Sequence, residues 1–461
     1  MRSLFLFLAF VLCSPLLGLS QYKTLDIPIE ASAIPKDGKV VFAEYPLTNR
    51  RYAFVQSEEK LTVITLDSGL KVVERLEFKT DKKYRGGVLM GSYRSGNELV
   101  LVGRLTDRKG FYTFNFVPGE KPKFVAAGPY TDLVTGEPFA GLSYPDRYVV
   151  LSLMEGTSRV ELTIFSGASA SQQATVDLSS WVRGLSVSEM LKENQTGQGG
   201  TYPYLGAATV LQKDISNDFR ETRRRLKIYT VEGNVVFSLD HRNGTNIASV
   251  GLNDFQVRYN EFKAIPIEAG PNGVKLQTSM VYGNSMYMAA MTEREIAVRV
   301  ADIFSGRPLN IYLADAESGC EWARTPYVQY VSKPFTETKL EFQQFLALSQ
   351  DPRGFQLALS VLRESADGIE LALGMNHVDP ETEVDVTALF KTRLSLDGSV
   401  VLTGAPKESA ADAAIGYEKL ILTPWALSRQ RVGDELWIGT YNVETQSYTL
   451  AAWPLARGAE Y

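Results

Sequence analysis

One phrase recurs along this chain. VITLDSGLKVVERL, Val63 to Leu76, is an alternating apolar run, an Asp-Ser-Gly turn and a second apolar run. VRVADIFSGRPLNIYL, near Val298 to Leu313, has much the same arrangement. Looser echoes are YTFNFVPGEKPKFVAA, LKIYTVEGNVVFSL and IGTYNVETQSYTLAAW. Apolar residues at a period of two mark half-buried strands, and Gly and Asp between them supply positive φ and local capping of a turn. A chain written this way is constrained to antiparallel hairpins, many times over.

The strand signals group into units: strand, short turn, strand, then a Gly- or Pro-bearing turn and a third strand. Units begin near Arg51, Glu98, Arg147, Leu205, Met286, Phe355 and Glu435, and segments such as Lys39 to Tyr45 and Leu276 to Tyr282 supply a fourth strand. Runs such as Tyr148 to Met154 are nearly all apolar, which marks strands covered on both faces. A small sheet with two apolar faces cannot bury both alone, and radial stacking of such sheets does so. The expected fold is therefore all-β, a β-propeller of about seven blades with three to four antiparallel strands each. Uneven spacing of the units leaves tandem β-sandwiches as the alternative, divided within Gln195 to Tyr204 or Ser332 to Thr338. Helix signals are confined to Ser186 to Glu193 and Glu408 to Ala414, and Thr338 to Ser349 reads as either helix or strand.

Thr65-Leu66-Asp67-Ser68-Gly69 resembles the opening of the Asp-box found in sialidase-type propellers, and departs from it at Lys71 and Val72. Asp-boxes are structural turns away from the catalytic centre, so the resemblance implies a blade hairpin and carries no activity. No WD dipeptide series and no regular kelch glycine pattern accompanies it.

The N-terminus reads as an export signal: Arg2, an apolar run from Leu4 to Leu12, then Gly18-Leu19-Ser20, with cleavage expected before Gln21. Residues 21–461 are then expected to form a single domain, secreted or periplasmic. No segment is apolar for long enough to span a membrane. A lipid anchor at Cys13 is disfavoured, because Leu12 stands where a small residue is usual. Only Cys320 would remain in the mature chain, so an internal disulfide is excluded and burial must stabilise the fold. The net charge of -5 argues against a nucleic-acid partner. The one dense basic run, Phe219 to Lys227, reads as a solvated turn and strand start.

Catalytic signatures are sparse. With two histidines in the chain, His241 and His377, both in turn-forming strings, and no G-x-S-x-G elbow, serine hydrolysis is disfavoured. The same shortage of His and Cys disfavours a zinc or redox site, and no cofactor is expected. Calcium needs only oxygens and stays open, although Asp379, Glu381, Glu383 and Asp385 read better as a surface loop grading into an edge strand. Aromatic residues in the irregular stretches, Trp181, Tyr202, Tyr204, Trp322, Tyr327 and Tyr330, are the candidate ligand-binding set, since such rings stack on sugars or anchor proteins. The expected role is a binding module for a protein or glycan partner in the cell envelope or outside the cell. The alternatives are a glycan-acting hydrolase or lyase using carboxylates in a central funnel, and a non-catalytic structural envelope component.

Overall fold

The computed structural model describes residues 23–454 apart from 29–39, 131–135, 196–208, 212–218, 269–274, 404–424 and shorter gaps of up to four residues. The proposed signal and Cys13, the helix expected at Glu408 to Ala414, and Tyr202 and Tyr204 lie outside the described residues.

The described residues form an all-β repeat of seven small sheets of four or five strands, none of them closed into a barrel. Sheet 1 comprises Val41–Tyr45, Arg50–Gln56, Lys60–Leu66 and Val72–Lys79 in spatial order. Sheet 2 follows with Val88–Ser95, Glu98–Arg104, Phe111–Val117 and Lys123–Tyr130, and sheet 3 with Glu137–Ser143, Arg147–Leu153, Arg159–Ser166 and Ser169–Asp177. Sheet 4 adds a short parallel strand, Thr209–Leu211, to Leu226–Val231, Asn234–His241, Gly244–Gly251 and Val257–Lys263. Sheet 5 is Leu276–Tyr282, Ser285–Met291, Glu295–Asp302 and Pro308–Asp315. Each recurring phrase of the sequence is one hairpin of such a sheet. In VITLDSGLKVVERL the Asp67 carboxylate accepts the backbone N–H groups of Gly69 and Lys71, both at 2.8 Å. In the second copy Asp302 does the same for Phe304 and Ser305.

Sheet 6 breaks the chain order. Gln356–Ser365, Gly368–Val378 and Asp385–Leu394 pair in sequence, but the next strand out is Tyr327–Ser332, which precedes them in the chain, followed by Phe335–Leu340 at the edge. The register Val328↔Leu389 and Tyr330↔Thr387 fixes this docking. Ser332 to Thr338, a candidate division between sandwiches, thus lies inside a hairpin of this sheet. The ambiguous stretch Thr338 to Ser349 resolves into the end of that edge strand and a helix, Phe342–Ala347, started by a capping box of Glu341 and Gln344. The strand expected at the edge after the acidic loop, Asp385–Leu394, is instead interior to the sheet.

Sheet 7 joins the two ends of the described chain. Trp425–Val432, Glu435–Asn442 and Ser447–Pro454 are completed by Lys23–Pro28, antiparallel to the last, with Leu25 opposite Leu450.

Both faces of most sheets are apolar because each packs on two neighbours. Phe42 of sheet 1 meets Trp437 of sheet 7 edge-on at 5.3 Å, while Phe54 on the opposite face meets Phe116 of sheet 2 at 5.4 Å. Phe111 and Phe165 join sheets 2 and 3, and Leu151, Leu162, Phe237 and Leu239 join 3 and 4. One continuous core then runs over sheets 4, 5 and 6 through Val236, Met288, Leu359 and Phe390. Burying each such side chain is worth about 1.5–3 kcal/mol. The outermost strands alternate instead: Val72–Lys79 and Pro308–Asp315 present exposed residues to solvent. Glycine is required where sheets approach closely, since a Cβ on Gly91 would fall 2.3 Å from the Tyr148 ring of sheet 3.

Candidate functional site

The four described members of the aromatic set fall into two places. Trp181 is 1% exposed, in the core between sheets 3 and 4, with its ring against Phe237. Its indole N–H donates to the Asn246 carbonyl (3.0 Å), and Asn246 Nδ2 donates back to the Trp181 carbonyl (2.9 Å). Trp322, Tyr327 and Tyr330 gather at the hairpin of sheet 6. Trp322 is 6% exposed and packs on Phe390, its N–H held by the Leu313 carbonyl. Tyr327 stacks on Phe342 at 5.3 Å and packs against Phe345 and Phe390. Trp181 and Trp322 therefore serve packing, while Tyr330, half-buried like Tyr327, lies on the opposite face of their strand. Irregular sequence around an aromatic residue marks a loop that the ring anchors as readily as one that it decorates.

The hairpin site rests on an aromatic column. Tyr312, Trp322, Phe390, Tyr327 and Phe342 follow one another from sheet 5 through the linking segment to the helix Phe342–Ala347. Burial pushes the neighbouring Cys320 thiol up to about 11, and burial followed by Cys320 raises Tyr327. Both shifts have burial as their first cause, in keeping with a column that holds the hairpin. Every residue of Tyr327–Ser332 is half-buried, and Thr336 to Lys339 on the edge strand are exposed.

A second concentration of polar groups lies between sheets 4 and 5. Lys227, the last residue of the basic run, is 0% exposed, and its Nζ donates to Asp240 Oδ2 at 2.5 Å and to the Ser279 carbonyl at 2.8 Å. This corrects the reading of that run as solvated at Lys227, while Arg225 is exposed. Asp240 also accepts from Thr245 Oγ1 (2.7 Å) and from the Ser279 N–H (3.0 Å). Leu276–Tyr282 is an edge strand of sheet 5, so the ion pair occupies the outward N–H and C=O of Ser279 as a neighbouring strand would. Burial, then the charge of Asp240, pushes the Tyr229 hydroxyl well above its usual range. Gln430 of sheet 7 makes the same two-point contact on sheet 1: its Oε1 accepts the Phe42 N–H at 3.0 Å and its Nε2 donates to the Phe42 carbonyl at 2.6 Å. Beside it, Arg51 of sheet 1 meets Glu435 of sheet 7 at 2.8 Å and lies over the Trp437 ring. These polar groups hold neighbouring sheets together.

The histidines are similarly occupied. Nδ1 of His241 receives the Asn243 N–H at 3.3 Å, so Nε2 carries the proton and donates to Asn246 Oδ1 at 3.1 Å. His377 lies 5.7 Å from the Phe355 ring. Among the described residues no group of three or more His, Cys, Asp or Glu is placed to hold a metal ion. The Asp385 carboxylate of the acidic loop accepts from Asn376 Nδ2 (2.5 Å) and Thr387 Oγ1 (3.0 Å).

No family model and no curated protein matches the sequence. Among solved structures, the WD40 domain from Toxoplasma gondii coronin aligns over 96% of this chain and 88% of that one, at 7% identity and a TM-score of 0.36, a likeness too slight to bear on fold or function.

Proposed function

We propose that the chain is an exported β-propeller of about seven blades and acts as a binding module for a protein or glycan partner. Successive packing of the sheets supports the propeller, as do the Lys227–Asp240 and Gln430 contacts on neighbouring strand edges and the chain ends meeting in sheet 7. The observation that carries the binding role is the departure of sheet 6 from the repeat. Its fourth strand, Tyr327–Ser332, comes from earlier in the chain, and a fifth, Phe335–Leu340, lies outside it; the hairpin they form is held by an aromatic column and carries the half-buried Tyr330. A scaffold needs no such addition for its own closure, and elaborated outer segments on rigid sheets are where binding residues concentrate. Placement in the cell envelope or outside the cell rests on the signal-like residues 1–20.

The test is a thermal-shift screen of Gln21 to Tyr461 against oligosaccharides, envelope polymers, peptides and Ca²⁺, repeated with Tyr330→Ala. A ligand at about 100 times its Kd stabilises the native state by about 2.7 kcal/mol. A hit lost in the variant supports the reading. A flat screen, or a hit insensitive to Tyr330 and the hairpin, counts against it.

A further inference from the structure

The outer edge of sheet 6 lies on the same hairpin as Tyr330 and has a property that stands apart from any ligand that Tyr330 contacts. In the hairpin, Ser332 pairs with Phe335, Tyr330 with Glu337 and Val328 with Lys339. Ser332 and Phe335 flank a two-residue connection, so theirs is a hydrogen-bonded pair, and alternation makes Tyr330–Glu337 and Val328–Lys339 hydrogen-bonded as well. The N–H and C=O groups of Thr336, Thr338 and Leu340 then point away from the sheet, along an edge to which no further strand pairs among the described residues. Side chains Thr336 to Lys339 are all exposed, so neither face obstructs an approaching strand.

We propose that Phe335–Leu340 is a self-association edge, pairing antiparallel with the same strand of a second copy about a two-fold axis and joining two five-stranded sheets into one. A symmetric pair must be centred so that outward-pointing residues meet. With Thr338 opposite Thr338, Thr336 meets Leu340 of the second copy and both pairs exchange main-chain hydrogen bonds. Glu337 then lies directly across from Lys339 of the second copy, and Lys339 from its Glu337. Both contacts fall at non-hydrogen-bonded positions, where side chains approach most closely. The next allowed register in one direction sets Glu337 against Glu337, and the next in the other sets Lys339 against Lys339. Charge thus selects one register on a strand whose faces are otherwise alike. Edge strands commonly use charge to repel. Here the same charges are self-complementary, which identifies the partner as another copy of this chain.

The experiment is sedimentation velocity on Gln21 to Tyr461 and on Glu337→Lys and Lys339→Glu, whose side chains are exposed and whose thermal midpoints should stay at the wild-type value. Wild type should dimerise with concentration, and each single variant should raise the dimer Kd by about tenfold or more, because both cross-strand pairs become repulsive. Mixing the two variants in equal amounts should restore association as a heterodimer, since the edge strand of one then carries two lysines and that of the other two glutamates, each facing its opposite. The double exchange E337K/K339E should restore the homodimer. Wild type that stays monomeric at its highest soluble concentration, single variants that associate as well as wild type, or a mixture that fails to recover would each overturn the proposal.

Discussion

Asp240→Ala should be among the most destabilising single substitutions on the polar side of this fold. Lys227 and Asp240 lie 0% and 6% exposed in their side chains, 2.5 Å apart, and together hold both main-chain groups of Ser279. Removing the carboxylate leaves a buried ammonium without its counter-charge and orphans the Ser279 N–H and the Thr245 hydroxyl. Breaking a buried pair from one side costs about 3–5 kcal/mol. Lys227→Met leaves Asp240 with two of its donors, so its cost should be smaller, about 2–3 kcal/mol. Removing both charges in K227M/D240A eliminates the uncompensated ion and leaves chiefly the unsatisfied Ser279 groups, about 2 kcal/mol. The double variant should therefore be more stable than D240A alone, with a coupling energy of about 3–6 kcal/mol across the cycle. Urea denaturation followed by tryptophan fluorescence measures this, with constant m values as the condition for comparing midpoints. Additivity of the two single effects would refute the argument, because it would mean the charges are solvated independently. The effect should also persist at high salt, since a pair closed to solvent is poorly screened.

Gly91→Ala should cost about 1–3 kcal/mol, because its Cβ would meet the Tyr148 ring at 2.3 Å, whereas Gly119→Ala, with nothing within 4 Å, should stay within about 0.5 kcal/mol; thermal melts separate the two. Gln430→Ala should cost about 1–3 kcal/mol and speed hydrogen exchange at the Phe42 amide, and an unchanged exchange rate would show that the contact is dispensable. Cys320, with its thiol raised to about 11, should hold only about one part in a thousand as thiolate at pH 8. Alkylation of the native protein should accordingly be slow and climb through pH 9 and 10, and a rate equal to that in denaturant would contradict the burial.

The repeated hairpin was legible because its information is local: Asp67 and Asp302 cap turns only two to four residues away. Chain order within sheet 6 was not, because a hairpin sequence says nothing about which distant strand receives it, and Tyr327–Ser332 finds its partner in Asp385–Leu394. The same limit explains the aromatic residues. The reason for Trp181 is Asn246, 65 residues on, and nothing in SSWVRG points there. The buried Lys227 had a readable cue. It faces Ser238 across the Leu226–Val231 hairpin, which puts Asp240 on the same face two residues further along. A charged residue with an opposite charge at that offset is a candidate interior pair even inside a basic run. Gln430 offers no cue of this kind, since its partner is a main-chain group of another sheet.

The pairing of Lys23–Pro28 with Ser447–Pro454 sets a timetable for biogenesis. The first of these segments to leave the ribosome must wait for the last before it finds its place, and until then Phe42 and its neighbours lack the cover of Trp437 and Tyr448. Sheets 2 to 5 have their strands in chain order and are able to assemble as they emerge. The nascent protein would thus carry an open seam throughout synthesis, closed in a single late step with a very large sequence separation. Until Ser447–Pro454 has been made, the apolar face around Phe42 stays uncovered, and such a face is what holdase chaperones bind.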